Sequence, residues 1–142
     1  MAAINTNRVV VGGLLAGVVM NALDMFWNLV VLRDDMMAIA QRLGMDAQTA
    51  MSFSTGVPWI IVDFVIGLVV VWNYAAVRPR FGPGPRTAVV AAIAPYVAAT
   101  AVVFGFTTMG LMPMSAFFKG SVASLVTTIV GSLAGAWGYS EA

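Results

Sequence analysis

The sequence predicts an all-α fold: an integral membrane four-helix bundle of two tandem helical hairpins, with an amphipathic outer segment between helices 1 and 2. Three observations carry this expectation. First, 61% of the 142 residues are hydrophobic and only 9% are charged, with a mean hydropathy of +0.93, whereas soluble domains carry about 25% charged residues. Second, the apolar residues gather into four runs long enough to cross a hydrocarbon core of about 30 Å, which takes ~20 helical residues. Third, the segments between the runs hold most of the charges and turn residues. These features define one transmembrane domain over residues 1–142, with helices at about 8–32, 57–77, 87–110 and 117–139 and an outer segment at about 34–54.

The first helix is expected to be retained and not removed as a signal peptide, because its apolar run passes through Asp24 to Leu32 and lacks a small-residue cleavage pattern. The outer segment follows. In "DDMMAIAQRLG", Met36, Ile39, Ala40 and Leu43 recur at helical spacing, Gly44 supplies a C-terminal stop, and Asp46 is an N-cap for a second short turn. This pattern predicts an amphipathic helix at the outer interface or over the bundle. The second helix is interrupted by Asp63 and ends in "VRPRFGPGPR", whose Pro and Gly residues are expected to stop both neighbouring helices. Arg78, Arg80 and Arg86 in that loop place it in the cytoplasm by the positive-inside rule, and both termini with it. Arg8 and Glu141 share that side. Trp27 and Trp59 fall near outer helix ends, and Trp72, Tyr74, Trp137 and Tyr139 near inner ends, as for rings seated at headgroup level.

An internal repeat relates the two hairpins. "RVVVGGLLAGVV" from Arg8 aligns with "RTAVVAAIAPYV" from Arg86, and "WNY" at Trp72 with "WGY" at Trp137. Two such hairpins would be related by an axis along the membrane normal. Asp24 then corresponds to Val102 and Asp63 to Thr128, so the acids belong to one hairpin only.

Asn21, Asp24 and Asn28, at spacings of three and four, share one helical face that Gly13 and Gly17 continue toward the cytoplasm. The second helix runs the opposite way, which puts Asp63 at a depth similar to that of Asp24, roughly 9 to 12 Å below the outer boundary at 1.5 Å per residue. A charged Asp deep in a membrane helix costs about 2.5–3.5 kcal/mol. With no basic residue inside the apolar runs, the pair is expected to share a proton, to hold a cation, or to draw in Arg33, Arg42 or Lys119. By depth, Thr100, Ser124 and Thr128 join this intramembrane polar layer. Gly131 and Gly135, in "GSLAG", form a small-residue pattern for close helix packing.

The composition excludes several chemistries. The absence of Cys and His removes thiolate and imidazole catalysis and metal sites as well as disulfides, and a net charge of +1 leaves no footprint for nucleic acid. Neither Gly12-Gly13 nor "GPGPR" is a phosphate loop. No catalytic residues and no cofactor are expected. Seven of the ten methionines fall on the outer side, and Met109, Met112 and Met114 in "TMGLMPM" have a spacing that thioether ligands of Cu(I) would use, although Met also fills irregular apolar surfaces.

The opening "NRVVVGGLLAG" and the closing "GAWGYSE" resemble a widespread type of small, uncharacterised bacterial four-helix membrane protein. The resemblance implies a bacterial cytoplasmic (inner) membrane setting and no activity. The functional expectation is a non-enzymatic accessory or scaffold subunit, embedded in the lipid bilayer and packed in a homo-oligomer or a larger membrane complex. The alternative is a proton- or cation-linked transporter or channel subunit using the polar layer. A purely structural role for that layer, binding helix to helix at about 0.6 kcal/mol per contact, stands beside both.

Overall fold

A computed structural model describes residues 4–139, and the described residues contain helices and turns only. Helix α1 (Thr6–Phe26) starts at Asn5, whose side chain accepts the Arg8 N–H, and passes into a π-helical turn, Trp27–Val31. Two short helices follow, α2 (Arg33–Arg42) and α3 (Ala47–Ala50). The long helices α4 (Phe53–Phe81), α5 (Pro85–Thr108) and α6 (Met114–Gly138) complete the chain. Four helical segments are long and apolar enough to cross a membrane: α1 with its π turn, α4 with the short α3 before it, α5 and α6. Glu141 lies outside the described residues.

Three boundaries differ from the sequence expectation. Helix α4 begins at Phe53, taking the end of the 34–54 segment into its first turn, where Ser52 is the N-cap. It also runs through Pro79 to Phe81, so Pro79 does not stop it. The stop is Gly82, at φ +81°, a backbone conformation that glycine adopts without a Cβ clash. Helix α6 starts at Met114 instead of about residue 117, after Pro113. In the outer segment, Gly44 turns the chain at φ +70° and the Asp46 carboxylate caps α3 through the Thr49 N–H at 2.8 Å.

Helices α1 and α5 each pack against both α4 and α6, and α4 and α6 also touch each other. The register of α1 on α4 is antiparallel: a Cβ at Gly13 would meet Leu68, one at Gly17 would meet Phe64, and Asn21 reaches the Ile60 carbonyl. Helix α1 is antiparallel to α6 as well, with Gly12 against Gly135 and Met20 against Gly131. The buried apolar cluster of Val9, Ala16, Val71, Tyr74, Ala75, Ala88, Ala91 and Tyr139 lies at the end opposite α2, termed here the inner end. Tyr74 and Tyr139 are 3% and 4% exposed, so they are not headgroup anchors. Their rings pack edge to face at 5.9 Å, while Trp72 and Trp137 stay exposed. Each tyrosine belongs to the face of its helix that the bundle covers, and each tryptophan two residues before it to the opposite face.

The outer end is tied by α2. Lys119 Nζ bonds Asp35 Oδ2 at 2.8 Å, and Arg42 Nη1 donates to the Gly110 carbonyl at 3.1 Å, joining α2 to both sides of the α5–α6 turn.

Candidate functional site

Close backbone approach creates the site. A Cβ at Gly67 would stand 2.6 Å from the Gly13 carbonyl oxygen and 2.7 Å from Gly17 N, and one at Gly12 would stand 2.6 Å from the Gly135 carbonyl oxygen. Real side chains do not fit there, so these glycines set the distances of α1 from α4 and α6. The sequence reading singled out Gly13, Gly17, Gly131 and Gly135. Gly12 and Gly67 complete the set, and Gly12 was legible as the immediate neighbour of Gly13.

Outward of the glycines, α1, α4 and α6 converge on polar side chains. Asp24 Oδ1 accepts a hydrogen bond of 2.7 Å from Thr127 Oγ1. The Asp24 and Asp63 carboxyls lie within hydrogen-bonding reach of each other, and Asp63 is 8% exposed. Two carboxyl groups in this position can share one proton, and two carboxylates cannot sit together there without a proton or a cation between them. Among the described residues no basic side chain reaches them: Lys119 is held by Asp35, Arg42 by the Gly110 carbonyl, and Arg33 is exposed. Asn21 Nδ2 donates to Gly17 O at 2.9 Å and to Ile60 O at 3.3 Å, bridging α1 to α4 one turn inward.

Four residues assigned to the polar layer make no side-chain bond to the two carboxyls among the described residues. Asn28 is exposed and donates to the Asp24 backbone carbonyl at 2.8 Å, because the π-helical turn that starts at Trp27 inserts extra backbone and breaks the three-and-four spacing. Thr100 lies on α5, which packs mainly on α4 and α6, and lines a shallow apolar groove of 300 Å³ with Tyr96, Val97, Ala101, Phe104 and Phe117. Thr128 bonds the Ser124 carbonyl of its own helix at 2.7 Å, and Ser124 enters the layer through no bond of its own. The hydroxyl that meets the acid is that of Thr127. The signal was present, since Thr127 precedes Gly131 and Gly135 by four and eight residues and therefore shares their face.

Two further features adjoin the layer. The Trp27 indole N–H, three residues beyond Asp24, is buried without an acceptor among the described residues. The π turn that carries it is a form that recurs at functional positions in helices. Ser132, fully buried, donates to the Ala88 carbonyl at 2.6 Å and ties α6 to α5 nearer the inner end.

Met109 and Met114 flank the outer α5–α6 turn and are 72% and 48% exposed, with Met112 between them half-buried. No group of three or more Asp, Glu, His or Cys residues with metal-holding geometry occurs among the described residues. Compared with known proteins, the chain matches no family model, no curated protein and no solved structure.

Proposed function

We propose that this is a non-enzymatic integral membrane protein whose four long helices span the bilayer as a bundle, and that it works as an accessory or scaffold subunit of an oligomer or larger membrane complex. The observation supporting this reading is the outer half of α5. Only 11% of the most apolar stretch of α5 is buried, against 33% for α1 and 39% for α6. Within its groove, the Tyr96 and Thr100 hydroxyls make no hydrogen bond among the described residues. Unsatisfied hydroxyls facing hydrocarbon are unfavourable, and such groups bond neighbouring helices in membranes. A helix of another subunit seated in the groove would satisfy both. The positive-inside bias of Arg8, Arg78, Arg80 and Arg86 supports cytoplasmic termini, and the resemblance noted above supports a bacterial cytoplasmic membrane. Purification in mild detergent with mass measurement tests the proposal. An assembly that Tyr96→Phe with Thr100→Val weakens is expected, and a lone chain, or an assembly indifferent to both changes, would overturn it.

A second reading rests on the contact between Asp24 and Asp63. A desolvated acid pair with a hydroxyl donor and no base is suited to holding a proton or a cation, so a proton- or cation-linked transport subunit is the alternative. Inward of the pair, the glycine contacts bring α1 close against α4 and α6. In liposomes, Asp24→Asn with Asp63→Asn should abolish proton or cation flux, and unaltered flux would remove the pair from the mechanism. Cu(I) binding by Met109, Met112 and Met114 is a minor alternative: their joint substitution should weaken Cu(I) binding, and identical isotherms would end it.

A further inference from the structure

The outer end is closed by a segment with a light hold on the bundle. Helix α2 packs along its length on the π turn before it and on α3 after it, and of its own residues only Ala40 is buried. Side-chain bonds from its two ends reach further: Asp35 Oδ2 accepts from Lys119 Nζ of α6 at 2.8 Å, and Arg42 Nη1 donates to the Gly110 carbonyl at 3.1 Å. Helix α6 sets the place of the first tether. Lys119, Ala123 and Thr127, four residues apart, form one ridge of that helix. The ridge leads from the Asp24–Thr127 bond outward over roughly 12 Å to Lys119, with Ala123 buried between them. Asp35 therefore stands at the outer end of the ridge that carries the hydroxyl partner of Asp24.

Three features leave α2 poised to lift. Leu32, at φ −103° and ψ 11°, breaks the helical run before it, and Gly44, at φ +70°, follows it where a Cβ would meet nothing within 4 Å. Such positions at the ends of an element take up hinge rotation. The Lys119 side chain is 57% exposed, so its ion pair with Asp35 is screened and weak. Third, the buried indole N–H of Trp27, which lies in the chain between Asp24 and α2, has no acceptor among the described residues. The closed arrangement leaves that donor unsatisfied, and water entering beneath a lifted α2 would bond it.

We propose that α2 is a strap over the outer mouth of the seam between α1 and α6, latched by Asp35 on Lys119 and by Arg42 on the Gly110 carbonyl, and that lifting it about Leu32 and Gly44 admits water from the outer side toward Asp24. The strap acts whether the acid pair serves transport or only packing, so it stands apart from both readings above.

The chain contains no cysteine, so a single introduced thiol reports access at its own position. In the full chain in mild detergent, Ala123→Cys should react slowly with a small water-soluble methanethiosulfonate. Adding Asp35→Asn should speed the reaction about threefold, and Asp35→Asn with Arg42→Gln about tenfold, as one weak latch and then both are released. Asp34→Asn, at the exposed position next to the latch, should leave the rate unchanged. Ala75→Cys, buried at the inner end, should stay slow in every background, since the strap opens locally. A second measurement leaves the core unaltered: by NMR, exchange of the Trp27 indole N–H with solvent, assigned through its loss in Trp27→Phe, should also quicken about tenfold in the double latch variant. Several results would overturn the proposal: Ala123→Cys reacting with the latches intact as fast as Ala38→Cys on the exposed side of α2, no gain in the double variant, equal gains at Ala123 and Ala75, or an unchanged Trp27 exchange rate.

Discussion

Helices α1 and α5 occupy equivalent positions, each packed against α4 and α6, yet they meet those neighbours in different ways. Along α1 the contacts are made by Gly12, Gly13 and Gly17 against Gly67, Gly131 and Gly135, close enough for side chains to reach a neighbouring backbone or acid. Along α5 the buried residues are Thr87, Ala88, Ala91 and Ala92 near its start and Thr107 near its end, and the stretch between them opens into the groove at Tyr96 and Thr100. The comparison shows that backbone approach governs where polar chemistry can be placed. Asp24 meets Thr127 and Asp63 because α1 is drawn in, whereas Thr100, at a comparable depth, has no partner because α5 stands off.

The contrast breaks most readily at the glycines. Gly67→Val would drive a side chain into the Gly13 carbonyl and Gly17, and overpacking of this kind costs about 1–3 kcal/mol. Ala94→Val, on an exposed face of α5, should change stability by less than about 0.5 kcal/mol. Reversible unfolding in detergent measures both, and equal effects would dissolve the distinction between the helices.

A smaller effect separates two adjacent threonines. Thr127→Val removes the only hydroxyl donor to Asp24 among the described residues and should cost about 1–3 kcal/mol, whereas Thr128→Val removes a bond within one helix and should cost well under 1 kcal/mol. The same unfolding measurement ranks them. A larger loss at Thr128 would mean that the face of α6 turned to α1 has been misassigned.

On the α5 side, Ser132→Ala removes a side-chain bond from α6 to the α5 backbone and should cost about 1 kcal/mol. It should also loosen α5 alone, so amide exchange should speed up in α5 and not in α1. Uniform acceleration in both helices would show that they do not open independently.

The smallest effect lies outside the spans. The Thr49 backbone N–H, aided by the Thr49 hydroxyl, holds the Asp46 carboxyl below its ordinary value of 3.8. A depressed folded pKa means that the cap contributes above pH 3.8 and is lost as pH falls through the folded value. Amide exchange at Ala47–Ala50 should therefore accelerate on acidification below that range, and Asp46→Ala should make it fast and insensitive to pH across it.

Much of this arrangement was legible in the chain. Four long apolar runs, Gly44 and Asp46 as turn and cap, and the antiparallel step that sets Asp24 level with Asp63 follow from hydropathy, turn chemistry and helical rise. Other assignments failed where a local device intervened. The π turn at Trp27 rotated Asn28 away, a change that hydropathy does not encode, and Pro79 lay too near the helix end to stop it. Thr127 and Thr128 lie at nearly the same depth, so depth alone does not separate them, and only the face shared with Gly131 and Gly135 points to Thr127.

The sequence by itself determined which segments are helical, roughly how long they are and at what height along each helix their polar residues lie, because hydropathy and backbone hydrogen bonding act along the chain. Tertiary structure alone decided which hydroxyl faces the acids, that the tyrosines turn inward, and that α1 closes while α5 stays open. Those outcomes depend on the rotation of each helix about its axis, which is set by contacts between residues far apart in the chain: glycine against glycine, and Thr127 against Asp24.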